Sequence, residues 1–250
     1  MTDTERGLTT RVDPVPPPHG GREARSRAVL ALAVVLLLID AALLLHNGLF
    51  LLHDEPAREP VHPLYSSLLW NGDNDESWIE LFGYAKLGLT VGLLIAAARL
   101  RDGVGLIALA AVVLVLLADD AVRLHERGGT ELVERLDLPA PLGFDPQYLG
   151  EALIWAAMAP VLLALIVIGR RLTRGAARRI LDRALIVLLG LVAAGVLVDV
   201  AVIAAQRVAS AGTATAVVLV ETSGELLLMT ALLLVAASGA RMAAPSRPRG

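Results

Sequence analysis

Six stretches of this chain are apolar and long enough to cross a bilayer, and this limits its fold more than any other feature. A crossing helix needs about 20 predominantly apolar residues, because the hydrocarbon core is roughly 30 Å thick and a helix rises about 1.5 Å per residue. The stretches run approximately from Ala28 to Leu52, Trp78 to Leu100, Val104 to Val122, Tyr148 to Ile168, Ala184 to Ala205, and Thr215 to Ser238. The expected architecture is all-α: a six-helix transmembrane bundle over residues 28–240, between a disordered tail at 1–27 and a short tail at 241–250. The first tail holds Val15-Pro16-Pro17-Pro18 and Gly20-Gly21, a composition that builds no core. The first stretch follows Arg22, Arg25 and Arg27 in the manner of a signal peptide. Its length, its Asp40 and the lack of a small-residue cleavage site instead mark an uncleaved helix.

Composition agrees. The chain is 56% hydrophobic without counting Gly, 19% charged, and has a mean hydropathy of +0.65. Soluble proteins average about 45–50% apolar even with Gly included, so the surplus must meet lipid. A net charge of −3 offers no broad basic surface, and nucleic acid is not an expected partner. Zero cysteines exclude disulfides, thiol catalysis and Cys-ligated metal sites.

Orientation follows from Lys and Arg, which are retained on the cytoplasmic side of span ends. With the N-terminus inside, the inner segments hold Arg6, Arg11, Arg22, Arg25, Arg27, Arg99 and Arg101, then six Arg between 170 and 183, and Arg241, Arg247 and Arg249. That accounts for 16 of the 22 basic residues and places both termini in the cytoplasm. The expected setting is a bacterial cytoplasmic membrane crossed several times, with the loops His53–Ser77 and His125–Gln147 outside. Small residues mark helix contacts in lipid. Gly88, Gly92 and Ala96 form such a row, and Gly190 with Ala194 a weaker one, chiefly for packing inside one bundle, with homodimerisation as the alternative.

Ionisable groups inside a membrane are costly and usually face a bundle interior. Here they include Asp40, His46, Glu80, Tyr84, Lys86, Asp119, Asp120, Arg123, His125, Glu126, Glu151, Asp199, Glu221 and Glu225. Measured from the span centres, all lie near the midplane or up to roughly 15 Å outward of it. The aromatic residues share this bias, so a polar chamber is expected in the outer half, sealed below by Leu, Val and Ala. Glu221 and Glu225 share a helical face, as do Asp119, Arg123 and Glu126, which makes an Asp–Arg pair available. Lys86 needs a carboxylate such as Asp119, Asp120 or Glu225. Nine acids against Lys86 and Arg123 cannot all stay ionised in low dielectric: some must be protonated, reach water or share a cation. A divalent metal on His46, Asp120, His125 and Glu126 is chemically reasonable, although the spacing matches no established ligand signature. A bis-histidine haem on His46 and His125 is a disfavoured alternative; it needs both rings directed inward at one depth, which two outer-end histidines could achieve.

Leu117-Ala118-Asp119-Asp120-Ala121-Val122-Arg123-Leu124-His125-Glu126 resembles the L-S-L-D-E-A-x-x-L-H-E segment of a broad set of uncharacterised bacterial polytopic membrane proteins. Ser77-Trp78-Ile79-Glu80-Leu81-Phe82-Gly83-Tyr84-Ala85-Lys86 is similar to their S-x-x-E-x-F-x-Y-x-K entry to the second span. Tyr148, Trp155 and Pro160 match a Tyr, Trp and Pro in their next span, so the likeness covers about residues 70 to 165. It implies Glu80, Tyr84, Lys86, Asp119, Asp120, His125 and Glu126 as defining positions, and implies no activity. This sequence departs at Asp120, where the family has Glu, and at Ala118, where it has Ser.

Three functions fit these residues. The first is a structural or accessory membrane protein whose buried polar network sets helix packing. The second is a membrane-embedded, metal-dependent hydrolase acting on a lipid-type substrate at the outer leaflet, with Asp119, Asp120, His125 and Glu126 as catalytic candidates and Glu126 or Asp120 as proton acceptor. The third is a proton- or cation-coupled carrier relaying through Asp40, Asp199 and Glu225. No nucleophile elbow, phosphate loop or HExxH motif is present.

Overall fold

A computed structural model describes residues 20–53, 62–72, 74, 76–101, 103–140, 145–208 and 211–242, with side chains at 20–25, 196–208, 211–215 and 241–242 outside the description. All regular structure among them is helical. The helices are α1 (Gly20–His53), α2 (Trp78–Arg99), α3 (Val104–Val122), α4 (Leu124–Leu136), α5 (Pro146–Leu172), α6 (Gly175–Val208) and α7 (Ala211–Met242), with two short 3-10 turns, Pro63–Ser66 and Leu68–Trp70, between α1 and α2. Among the described residues, five helices are long and apolar enough to cross a membrane: Ser26–His53, Trp78–Arg99, Val104–Val122, Pro146–Leu172 and Ala216–Ala240. The protein is therefore an all-α, multi-span membrane protein.

Local chemistry sets the helix ends. Ser77 caps α2 by accepting from the Glu80 backbone N–H at 3.2 Å, while the Glu80 carboxylate reaches back to the Glu76 N–H at 2.6 Å. The first satisfies an N–H that the first helical turn leaves open, and the second ties the residue before the cap to that turn. Asp145 caps α5 ahead of Pro146 by accepting from the Gln147 N–H at 2.9 Å. Proline at this first position sacrifices no hydrogen bond.

Two findings differ from the sequence reading. The segment after His125 is largely helical, as α4, rather than an open loop. It is separated from α3 by Arg123, whose φ of 54° lies in the left-handed region. That turn also breaks the helical face on which Asp119, Arg123 and Glu126 were expected to align. Second, the Gly88, Gly92 and Ala96 row is exposed, and a Cβ on Gly92 would meet nothing within 4 Å.

Tight crossings use other glycines. A Cβ on Gly150 of α5 would sit 2.4 Å from the Gly129 carbonyl oxygen of α4, and one on Gly105 of α3 would sit 2.5 Å from the Gly169 carbonyl oxygen of α5. Gly150 and Gly169 are the buried residues of α5, so this helix is held near its two ends. At the second crossing Thr173 Oγ1 accepts from the Gly105 N–H at 2.7 Å and donates to the Gly169 carbonyl at 2.8 Å.

The apolar core occupies the half of the bundle nearer the α5–α6 turn. Leu94 and Ala97 of α2, Leu106 and Leu109 of α3, Ala184 of α6 and Leu232 of α7 are fully buried there. Polar side chains collect toward the opposite end, which carries α4 and the 62–72 segment.

Candidate functional site

The deepest polar group is Lys86. Its side chain is 1% exposed, as is that of Asp40, and Nζ lies 3.0 Å from Asp40 Oδ1. Nζ also donates to the Leu226 carbonyl at 2.7 Å and to Thr230 Oγ1 at 3.1 Å. An ammonium has three N–H bonds, and each has an acceptor here. Thr230 then passes its own hydrogen to Asp40 Oδ2 at 2.6 Å, closing a ring of α1, α2 and α7 side chains. The Phe82 ring, one turn before Lys86, faces Nζ with its centroid 4.8 Å away and adds a cation–π contact. Thr90, one turn after, donates to the Lys86 carbonyl at 2.8 Å. The expected partners of Lys86 were acids of α3 and α7, whereas the carboxylate that reaches it comes from α1.

A second unit joins α3 to α4. Asp119, 3% exposed at its side chain, accepts from the His125 backbone N–H at 2.9 Å and lies 2.8 Å from His125 Nδ1. Since a carboxylate only accepts, Nδ1 carries the hydrogen of this contact. The left-handed turn at Arg123 permits this, because it folds α4 back so that its first N–H groups meet the end of α3. Arg123 Nε lies 3.6 Å from Glu126 in an exposed pair. Gln147 of α5 bridges the Glu126 carbonyl and Glu151 Oε1, each at 2.8 Å, and ties α4 to α5.

His125, Asp119 and Asp120 border a cavity of about 210 Å³ together with Trp155 of α5 and Glu225 of α7. Its other walls are apolar, among them Leu116, Leu191 and Met229. A smaller cavity of about 80 Å³ lies beside it, bordered by Glu80, Tyr84 and Thr222. Asp120, Glu225 and Met229 border both. The expected polar chamber is thus two adjoining cavities, with Tyr84 hydrogen-bonded to Glu80 at the edge of the smaller one.

Other expected site residues go elsewhere. His46 stacks on Trp70 with centroids 4.6 Å apart, is tilted against Tyr65, and contacts the Ala42 carbonyl through Nδ1 at 2.7 Å. It borders neither of these two cavities. Among the described residues, no three His, Asp or Glu side chains form a group able to hold a metal ion. Glu221 borders neither cavity, although Glu225 one turn later borders both. The Asp199 side chain lies outside the described residues.

Several residues had no charge to reveal them. Asn47 is fully buried and accepts from the Gly72 N–H at 3.0 Å, which pins the end of the 62–72 segment to α1. Thr230 and Thr90 are buried hydroxyls in apolar helices. A visible signal was their spacing, since Thr90 stands one turn from Lys86 and Thr230 one turn from Leu226.

These features define a class: a multi-span membrane protein whose buried charges are neutralised by its own helices. The chain belongs to the family described as a domain of unknown function, DUF8692, whose model matches residues 53–241. That match takes in α2 to α7 and leaves α1, the source of Asp40, before it. No curated protein and no solved structure gives a significant match.

Proposed function

We propose that the chain is a structural or accessory membrane protein, in which an internal polar network fixes the arrangement of helices. The observation that carries this is the complete use of the Lys86 ammonium by Asp40, Thr230 and the Leu226 carbonyl. A buried charge with all its hydrogens engaged is unsuited to exchange protons or bind a passing solute, which speaks against a relay through Asp40. The lipid-directed hydrolase, with a divalent metal on His46, Asp120, His125 and Glu126, has no supporting ligand geometry among the described residues.

In this reading α6 is the sixth crossing, both termini are cytoplasmic, and α4 with the 62–77 segment lies on the outer face of a bacterial cytoplasmic membrane. The Arg-rich α5–α6 turn supports that orientation. The motif residues Glu80, Tyr84, Asp119, Asp120, His125 and Glu126 then form the outer polar cluster.

The test is a double-mutant cycle on the full chain in detergent, with Asp40→Leu and Lys86→Met. Each single change strands a buried charge and should cost about 3–5 kcal/mol, while the double change should recover most of it. Singles as stable as the wild type would refute a structural role for the pair.

A further inference from the structure

The larger cavity has features that the Lys86 network does not need. None of Asp40, Lys86 or Thr230 borders it, so it is a separate element of the molecule. At about 210 Å³ it exceeds the roughly 150 Å³ engineered cavity that admits benzene. A ring-sized apolar body therefore fits against Leu116, Leu191 and Met229.

Its polar groups are mostly acidic. Asp119, Asp120 and Glu225 contribute carboxylates, and His125 contributes a ring whose Nδ1 hydrogen is already committed to Asp119. Trp155 adds an aromatic surface, and among the described residues no Lys or Arg borders the space. Acceptors, negative charge and an indole together select a hydrogen-bond donor that carries positive charge.

A route of entry follows from the packing. α5 packs on α3 and α4, while α6 packs on α7 and more lightly on α3. Trp155 of α5 and Val192 of α6 both border the cavity, and Val192 is 45% exposed. In a bilayer an exposed apolar side chain of a crossing helix meets hydrocarbon.

We propose that this cavity is a binding site for a small protonated amine with an apolar, ring-sized body, admitted from the membrane between α5 and α6. The ammonium sits against Asp120 and Glu225, and the ring lies among Leu116, Leu191 and Met229.

Benzylamine and its neutral counterpart benzyl alcohol test this on the full chain in lipid nanodiscs. The Trp70→Phe and Trp78→Phe changes leave Trp155 as the one indole reporter, since the chain has three Trp. Benzylamine should change Trp155 emission saturably, with an apparent Kd about tenfold or more below that of benzyl alcohol. Asp120→Asn with Glu225→Gln should abolish that preference. Gly195→Leu should abolish binding of both, because it fills the cavity while meeting only the flexible end of Glu225, 3.1 Å from the added Cβ. Equal affinity for amine and alcohol, no saturation in the folded protein, or a preference that survives removal of both acids would each overturn the proposal. Should the double-acid variant not fold, unchanged amine binding by Gly195→Leu would overturn it equally.

Discussion

A buried carboxylate or ammonium is tolerable only when its hydrogen-bonding capacity is used, and Asp119 shows how much one side chain can organise. It holds both the backbone N–H and the ring of His125, the second residue of α4. Asp119→Leu should therefore cost about 1–3 kcal/mol by leaving those donors unsatisfied. Asp119→Asn should recover part of that loss, because its amide oxygen still accepts from the backbone; denaturant titration measures both. Lys86 and Asp40 were legible in the sequence as charges inside apolar stretches. Their pairing was not, because counting residues from a span centre gives depth and says nothing of which helices are neighbours. Asn47 and Thr230 escaped notice for a different reason: they carry no charge to single them out, and only contacts between distant segments expose their role.

At the level of elements, the crossing spans were readable because lipid demands length and apolarity together, while α4 was not, since its 13 residues are too few to cross and alternate between apolar and charged. The glycine crossings were equally hidden. The exposed Gly88 row looks more like a packing motif than Gly129 and Gly150, which lie on different helices. Gly150→Val should push α4 from α5 and raise amide exchange across residues 124–136, whereas Gly92→Val, with open space beside it, should leave exchange there unchanged. At the other end of α5, Arg170 Nε donates to Asp182 Oδ1 at 2.8 Å, and Arg178 Nε also bonds this carboxylate. The Arg170 hydrogen bond chiefly holds Asp182 below the usual carboxylate range. With the folded pKa depressed, the pair's stabilisation is present above about pH 4 and is lost as pH falls through the folded value. Acid melts should show a small, salt-sensitive loss there that Asp182→Asn removes; the pair is exposed to solvent and therefore weak.

For the whole molecule, orientation is directly testable because the chain has no cysteine to give background labelling. Thr130→Cys on α4 should react with an impermeant maleimide in intact cells, and Arg174→Cys only after lysis; the reverse pattern would invert the proposed topology. The Lys86 ring also bears on how the protein is made. Asp40 precedes Lys86 in synthesis, but Leu226 and Thr230 follow it by 140 and 144 residues. At ribosomal rates of about 5–20 residues per second, the lysine waits on the order of ten seconds for its last two acceptors. Until then its ammonium has one of its three final partners, and α2 is a poor occupant of lipid. Chains truncated before Leu226 should therefore be cleared by membrane quality control faster than full-length chains, and Lys86→Met should lengthen their lifetime in a pulse-chase measurement. The residue that locks the finished bundle is, during its assembly, a mark of incompleteness.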